Sequence, residues 1–307
     1  MAHNHSHGHH GHNHPTGNYN HAFVIGTALN VGFVIIEAVY GYLAHSLALV
    51  ADAGHNLSDV LGLLLAWGAS VLVRRPPTRR YTYGLRRSSI LAALINAIVL
   101  LLAMGGITWE ALQRFSHPEP VAGVTVITVA AVGILINTIT ALMFMSGRKH
   151  DLNIRGAFLH MAADAGVSLG VVLAGIAIIF TGWLWVDPVV SLIIVAVVVV
   201  GTWQLLKDSV NLALDAVPEG IEPLAVRTYL AERPGVTSIH DLHIWAMSTT
   251  ETALTDHIVM PSGYPGDAFL VQTCRELHDH FGIEHATLQI EVGDCDQSCA
   301  LAPEHRV

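Results

Sequence analysis

Six apolar runs, each of helix length, constrain the fold of this chain more than any other feature of its sequence. Each run meets the requirement of roughly 20 apolar residues for a helix that crosses a hydrocarbon layer about 30 Å thick. Only 13% of the residues are charged, against about 25% in a typical soluble domain. The sequence therefore predicts an all-α membrane domain of six transmembrane helices. They are expected near residues 22–43, 48–73, 88–112, 121–146, 157–180 and 186–206.

The basic residues of the connecting loops predict an orientation. Basic loops stay on the cytoplasmic side of a membrane, because lysine and arginine resist translocation. Two of the five connections are strongly basic, whereas the other three together hold only Arg114. Both basic loops and both termini are therefore expected in the cytoplasm. The basic residues are Arg74, Arg75, Arg79, Arg80, Arg86 and Arg87 in one loop, and Arg148, Lys149 and Arg155 in the other.

The segments outside the apolar runs predict three further regions. Residues 1–21 hold eight histidines among small polar residues, so we expect a disordered tail that collects metal weakly. The transmembrane domain spans 22–208. Residues 217–293 alternate between helical and strand periodicity in the order αββαβ, which predicts a ferredoxin-like α+β domain on the cytoplasmic side. Residues 294–307 form a short tail with cysteines.

Two of the predicted spans carry the same His-x-x-x-Asp pair. His55 and Asp59 lie on the second span, and His160 and Asp164 on the fifth. A spacing of four puts both side chains of a pair on one helix face, so two opposed faces would supply the four ligands of a tetrahedral zinc site. The alternative is a pair of buried polar contacts between helices. Ionisable residues inside a span are costly and usually functional, and the repetition favours a metal site.

The charges of these four residues suggest how metal and protons exchange. Two carboxylates neutralise a divalent cation, whereas without the cation they repel each other and favour taking up protons. Metal binding therefore releases protons. Two imidazoles favour zinc and its borderline neighbours over harder ions, with cadmium and cobalt as further candidates. Asp52, one turn before His55, is expected beside the ligands or on their access route, with a helix-end role as the alternative.

Other polar residues inside the spans have plainer expected roles. Asp187 stands before Pro188 and is expected to cap the start of the sixth span. Glu37 is expected to form hydrogen bonds between helices, with a place along a water-filled route as the alternative. The same interhelical role is expected for Asn30, Asn96 and Asn137.

Four segments give the chain a resemblance to the cation diffusion facilitator family. They are residues 51–59, 81–87, 151–164 and 240–245, and the likeness extends from the first span to the last strand. The chain is most similar to the branch with two His-Asp pairs and a His-rich N-terminus. The resemblance implies a homodimeric secondary transporter, not an enzyme, of a bacterial inner membrane. It implies proton-coupled export of zinc, sometimes cadmium or cobalt, by alternating access, with His55, Asp59, His160 and Asp164 as the transport site.

The resemblance also implies zinc as a structural or regulatory ion in the cytoplasmic domain. The implied ligands are His240, His257, His285 and Glu291. His243 falls on the face opposite His240 in a regular strand, so we expect it to be structural. Cys295 and Cys299 leave three alternatives open, which are a metal site, a reversible disulfide and no role.

One departure from the family lies in the loop between the second and third spans. Ser89 replaces a glutamate that many members have there. This loop offers arginines where some bacterial members have metal ligands, so we expect no metal site in it.

The expected partners are therefore divalent metal, protons, membrane lipid and a second copy of the chain. A net charge of −9 argues against nucleic acid. A membrane sensor or buffer that binds metal without moving it is the competing function, and transport of cobalt, nickel, iron or manganese is a second alternative.

Overall fold

A computed structural model describes residues 19–73, 75–145 and 152–293 of the chain. The expected His-rich tail up to residue 18, the tail cysteines Cys295 and Cys299 and the loop residues Arg148 and Lys149 lie outside the described residues. The side chain of Asp59 lies outside the description as well. The chain divides into two compact units. One contains the described residues up to Val60 together with Trp109–Ile194, and the other contains Leu61–Thr108 and the residues from Val195 onward.

Six long helices stand where the apolar runs predict them. The first begins at Tyr19, inside the segment 1–21 that was expected to be a tail, so the helix is longer than predicted at that end. Within the described residues, the third to sixth helices are long and apolar enough to cross a membrane, and the first contains a shorter apolar stretch, Ala28–Leu43. The helices are α1 (Tyr19–Leu43), α2 (Leu47–Val73), α3 (Ser88–Ser116), α4 (Gly123–Phe144), α5 (Leu152–Thr181) and α6 (Val186–Ala213).

Glycines allow α4 and α5 to pack closely. A Cβ atom added at Gly123 would lie 2.7 Å from Cγ1 of Ile179, and one added at Gly175 would lie 2.8 Å from Cγ1 of Ile127. Both distances are too short for real carbon atoms. Helices inside a membrane associate largely through van der Waals contact, and small residues at the contact let their backbones approach. This packing fixes the position of α5, which carries the second His-Asp pair.

Asp187 caps a different helix from the one its sequence position suggests. Its carboxylate accepts hydrogen bonds from the backbone N–H groups of Leu47, at 2.7 Å, and Ala48, at 3.3 Å, and from the hydroxyl of Ser46. These groups lie at the start of α2, where backbone donors have no partners within the helix. The expectation that Asp187 caps α6 was wrong, because the side chain reaches across to a neighbouring helix. It thereby holds the beginning of the helix that carries His55.

The C-terminal domain has the predicted αββαβ order. Its sheet has the strand order β1-β2-β3, with β1 antiparallel to β2 and β2 parallel to β3. Apolar side chains of both helices and all three strands form one core on one face of the sheet. The elements are α7 (Pro223–Ala231), β1 (Ser238–Ala246), β2 (Thr252–Val259), α8 (Asp267–Phe281) and β3 (His285–Glu291).

A β-bulge interrupts the pairing of β1 with β2. His240 opposes His257, but His243 opposes Thr255, so two residues of β1 face a single residue of β2. Asp241, in the bulge, has a left-handed φ of 57°. Aspartate tolerates this conformation better than most residues with a side chain. Because the bulge adds one residue, His240 and His243 lie on the same face of the sheet, away from the helices.

Candidate metal centres

The first candidate centre joins α2 and α5 inside one compact unit. The carboxylate of Asp164 lies between two imidazoles. Its Oδ1 is 3.2 Å from Nε2 of His55, and its Oδ2 is 3.6 Å from Nε2 of His160. The two imidazole rings are 6.0 Å apart between centroids and roughly perpendicular. Asp164 is buried, whereas both histidines are partly exposed. The structure therefore brings together three of the four residues predicted for the transport site.

The separations at this centre suit a tetrahedral ion. Ligand atoms bound to zinc at about 2.0–2.1 Å lie roughly 3.3 Å apart along a tetrahedral edge. The distances from Asp164 to His55 and His160, 3.2 and 3.6 Å, are close to that edge. The fourth predicted ligand, Asp59, lies one turn after His55 on α2. The backbone of α2 therefore places Asp59 on the same helix face as His55.

A second pair of carboxylates lies near this centre. Asp52 accepts a hydrogen bond from the hydroxyl of Ser168 at 3.0 Å, and Glu37 on α1 accepts one from Nδ2 of Asn56 at 3.0 Å. Both carboxylates are fully buried. Glu37 thus forms the expected interhelical hydrogen bond. Asp52 lies one turn before His55 on α2, as its position in the sequence predicts.

The second candidate centre lies on the open face of the C-terminal sheet. Ligand atoms of His240, His257 and Glu291 all lie within 4.8 Å of one another. One oxygen of Glu291 is 3.0 Å from Nδ1 of His257, and the other is 3.4 Å from Nε2 of His240. Two imidazoles and a carboxylate form a suitable zinc ligand set. The structure therefore groups three of the four residues that the family resemblance implied.

The fourth, His285, does not join this group. It pairs with Ala253 at the opposite end of β3 from Glu291, and its ring packs edge-on against Tyr83 at 5.5 Å between centroids. The parallel register of β3 beside β2 causes the separation, since His257 lies opposite Gln289. Within this chain, the expectation that His285 shares an ion with His257 was wrong.

Two residues that sequence reasoning set aside extend the group. Asp241 contacts His243 at 3.0 Å and His257 at 3.6 Å. The expected placement of His243 on the opposite face was wrong, because the bulge shifts the alternation of β1 by one residue. An aspartate next to a metal-ligating histidine orients its ring. The sequence signal for the bulge was Asp241 itself, since aspartate is enriched in the left-handed conformation.

Asp256, next to His257 on β2, points to the helix-covered face. Its carboxylate is fully buried, and within the described residues neither oxygen has a side-chain hydrogen-bond partner. Burial raises the pKa of Asp256 from 3.8 to about 7, although the nearby Arg227 guanidinium opposes this shift. The carboxyl group of Asp256, on the sheet face opposite the second candidate metal centre, is therefore largely protonated below neutral pH.

The arginine loop before α3 contacts the C-terminal domain. Nη1 of Arg86 contacts Oε1 of Glu251, at the turn between β1 and β2, and Arg87 contacts Asp215. The hydroxyl of Ser89 accepts a hydrogen bond from the backbone N–H of Thr249 at 3.1 Å. These arginines therefore connect the start of α3 to the C-terminal domain. This contact is additional to the membrane orientation that their charge predicts. Ser89, the departure from the family pattern, takes part in the same junction.

Comparison with known proteins decides the family. The model of the cation efflux transmembrane domain matches residues 23–212, and that of the cytoplasmic domain of cation efflux proteins matches residues 218–292. The chain belongs to the cation efflux family. The predicted resemblance to cation diffusion facilitators is thereby confirmed, and the two matched regions correspond to the six helices and the αββαβ domain of this cation efflux protein.

Several named relatives match almost all of this cation efflux protein. It is 38% identical over 293 residues to the zinc transporter ZitB of Escherichia coli, covering 95% of this chain and 93% of the relative. It is 38% identical over 301 residues to the metal cation efflux system protein CzcD of Cupriavidus metallidurans, covering 98% and 93%. It is 38% identical over 296 residues to a cadmium, cobalt and zinc/H(+)-K(+) antiporter of Bacillus subtilis, covering 95% and 92%. The chain is therefore an integral membrane protein of a divalent-metal transport family.

Proposed function

We propose that the protein exports divalent metal, foremost zinc, from the cytoplasm in exchange for protons, by alternating access. The observation that carries the proposal is the convergence of His55, His160 and Asp164 at tetrahedral spacing. One histidine would be enough for a polar contact between α2 and α5, whereas here two imidazoles converge on one carboxylate.

The chemistry of the site supports zinc and exchange with protons. Two imidazoles and two carboxylates suit zinc, cadmium and cobalt better than harder ions. In the proposed site Asp59 supplies the fourth ligand, so the two carboxylates cancel the charge of the ion. The names of the relatives agree, since they include a zinc transporter and a cadmium, cobalt and zinc antiporter.

The direction of transport follows from the loop charges. The basic loops are retained in the cytoplasm, so the His-rich tail and the C-terminal domain face the metal to be removed. We assign His240, His257 and Glu291 to an ion that regulates or stabilises this domain. Cys295 and Cys299 are the candidate additional ligands. A homodimer agrees with the dimerisation role of the matched cytoplasmic domain.

The test is metal-dependent proton flux in proteoliposomes that contain the purified full chain. Zinc influx with counterflow of protons is expected for the wild type. Asp164→Asn is expected to reduce both fluxes to the level of empty liposomes, because the carboxylate between the two imidazoles is lost. Asp208→Asn, a carboxylate of α6 outside the site, is the matched control and is expected to retain both. Undiminished zinc flux through Asp164→Asn would refute the assigned site.

The same assay separates transport from sensing. A sensor or buffer binds zinc but shows no zinc flux in the wild type under any pH gradient. Competition among zinc, cadmium, cobalt, nickel and manganese for the wild-type flux then identifies the preferred ion. Zinc is expected to compete most strongly, followed by cadmium and cobalt.

A further inference from the structure

The proposed transport site leaves one pair of ionisable residues without a role. Glu37 on α1 and Asp52 on α2 are both 0% exposed. Both lie on helices that we assign to the membrane. Burying a carboxylate inside a membrane costs free energy unless a cation or a proton neutralises it. The helices α1, α2 and α4 contain neither lysine nor arginine, and the arginine of α5, Arg155, lies more than three turns before Ser168.

In each of the two carboxyl groups, one oxygen accepts a hydrogen bond from a neighbouring side chain that the structure describes and the other does not. Asn56 donates to Oε2 of Glu37, and Ser168 donates to Oδ2 of Asp52. Within the described part of the chain, Oε1 of Glu37 and Oδ1 of Asp52 receive no hydrogen bond from an amide or hydroxyl group. Because Asn56 lies one turn after Asp52 on α2, its hydrogen bond to Glu37 brings the two carboxyl groups to the same face of α2.

Two buried carboxyl groups on one helix face repel each other when both are ionised. In a medium of low polarity such a pair holds one proton, as paired carboxyls do in other buried sites. The Glu37–Asp52 pair therefore carries one proton and one negative charge when no cation is near.

The pair lies within electrostatic range of the metal centre. Ser168, which donates to Asp52, lies one turn after Asp164 on α5, and Asp52 lies one turn before His55 on α2. α4, which packs against α1 and α5, contributes no titratable residue. The remaining ionisable groups of α1, α2 and α5 are Tyr19, His21, Tyr40, Tyr42, Asp59, Arg155 and His160.

We propose that the Glu37–Asp52 pair is a proton-binding site from which a metal ion at the transport site displaces a proton. This inference rests on the proposed exchange function and adds a residue pair to it. A divalent cation at Asp164 stabilises the doubly ionised pair, so the shared O–H bond breaks, its electrons remain on the carboxylate, and the proton passes to water. By linkage, a proton on the pair weakens metal binding by the same factor. Protons arriving from the far side therefore help to release the metal.

The test counts protons released when zinc binds to the full chain in detergent. Zinc is titrated calorimetrically at one pH in buffers of different ionisation enthalpy, and the heat difference gives the proton count. Glu37→Gln is the main variant, since a glutamine can accept from Asn56 and donate to Asp52, and so imitates the protonated pair. Thr140→Val is the control. Thr140 is a buried residue of α4 whose hydroxyl donates to the backbone carbonyl of Ile136 in its own helix.

The wild type and Thr140→Val are expected to release about one more proton per chain than Glu37→Gln. For each unit by which the pH rises, the zinc affinity of the wild type is expected to increase about tenfold more than that of Glu37→Gln. In an Asp164→Asn background the difference is expected to vanish, because the cation no longer sits beside the pair. Histidines of the tail and of the C-terminal domain contribute equally to all variants and cancel.

Equal proton release by the wild type and Glu37→Gln would overturn the inference. So would a difference that persists in the Asp164→Asn background. If Glu37→Gln does not yield folded protein, Asp52→Asn is measured instead, with the same expected loss of one proton and the same refuting result. Failure of the transport proposal is seen separately, as wild-type protein that binds zinc and releases protons but moves no zinc into liposomes.

Discussion

The buried carboxyl of Asp256 makes the stability of the C-terminal domain depend on pH. Its pKa is about 7 in the fold and 3.8 in the unfolded chain. Because the folded state holds the proton more tightly, the stabilisation is complete below pH 3.8 and is lost as pH rises through 7. Full ionisation of this group costs about 4 kcal/mol. Over the accessible interval from pH 8 down to pH 5, the domain regains about 3 kcal/mol of this stability.

Replacing Asp256 by asparagine is expected to remove this dependence. The amide has the shape of the protonated carboxyl and stays neutral, so Asp256→Asn is expected to behave at pH 8 as the wild type does at pH 5. The measurement is hydrogen exchange of the amides of β1 and β2 in the metal-free full chain. After correction for intrinsic rates, the wild-type opening constant is expected to change on the order of 100-fold between the two pH values.

The comparison isolates one group among several that titrate in this range. Histidines of the domain titrate in the wild type and the variant alike, so only the difference between the two profiles reports Asp256. Asp279→Asn, an exposed carboxylate of α8, is the control and is expected to keep the wild-type profile. If Asp256→Asn also keeps that profile, Asp256 does not hold a proton in the fold and the reasoning fails.

Three further substitutions test the architecture around the metal centres. Asp187→Ala is expected to destabilise the full chain by about 1–2 kcal/mol, seen as a lower melting temperature in detergent, because α2 loses its cap; a change equal to that of Asp208→Ala would contradict the capping role. Gly175→Val is expected to force α4 from α5 and abolish the monodisperse peak in size-exclusion chromatography, and an unaltered peak would disprove the close contact. Glu291→Gln is expected to weaken zinc binding by the C-terminal domain at least about tenfold, whereas Asp279→Asn leaves it unchanged; equal affinities would remove Glu291 from the site.

Local patterns predicted the elements and the two His-Asp pairs because both depend on spacing along one helix or strand. The apolar runs located all six long helices, and the spacing of four placed His160 and Asp164 on one face of α5. The convergence of α2 and α5 on Asp164 could be inferred only because the same pair occurs twice. Such repetition is rare, so most contacts between helices have no signal of this kind.

Contacts that depend on which elements become neighbours could not be predicted. Asp187 has the sequence context of a cap for its own helix, yet its carboxylate binds the start of α2. Glu37 and Asp52 lie on different helices, and nothing in either local pattern indicates that they become neighbours. The arginines before α3 have charges that predict topology, but their partner Glu251 lies in another domain. These pairings follow from tertiary packing.

The bulge in β1 behaves as a phase shift in the alternation of the strand. Ile239 and Ile244 are both buried in the core although they stand an odd number of residues apart, and the extra residue reconciles them. If β1 kept all its residues and alternated regularly, with no bulge, every residue after the bulge would lie on the opposite face of the sheet. Ile244 would then face water, and His243 would turn toward the helices. The extra residue therefore places Ile244 in the core and His243 on the open face that carries the second candidate centre. Neither placement can change without the other.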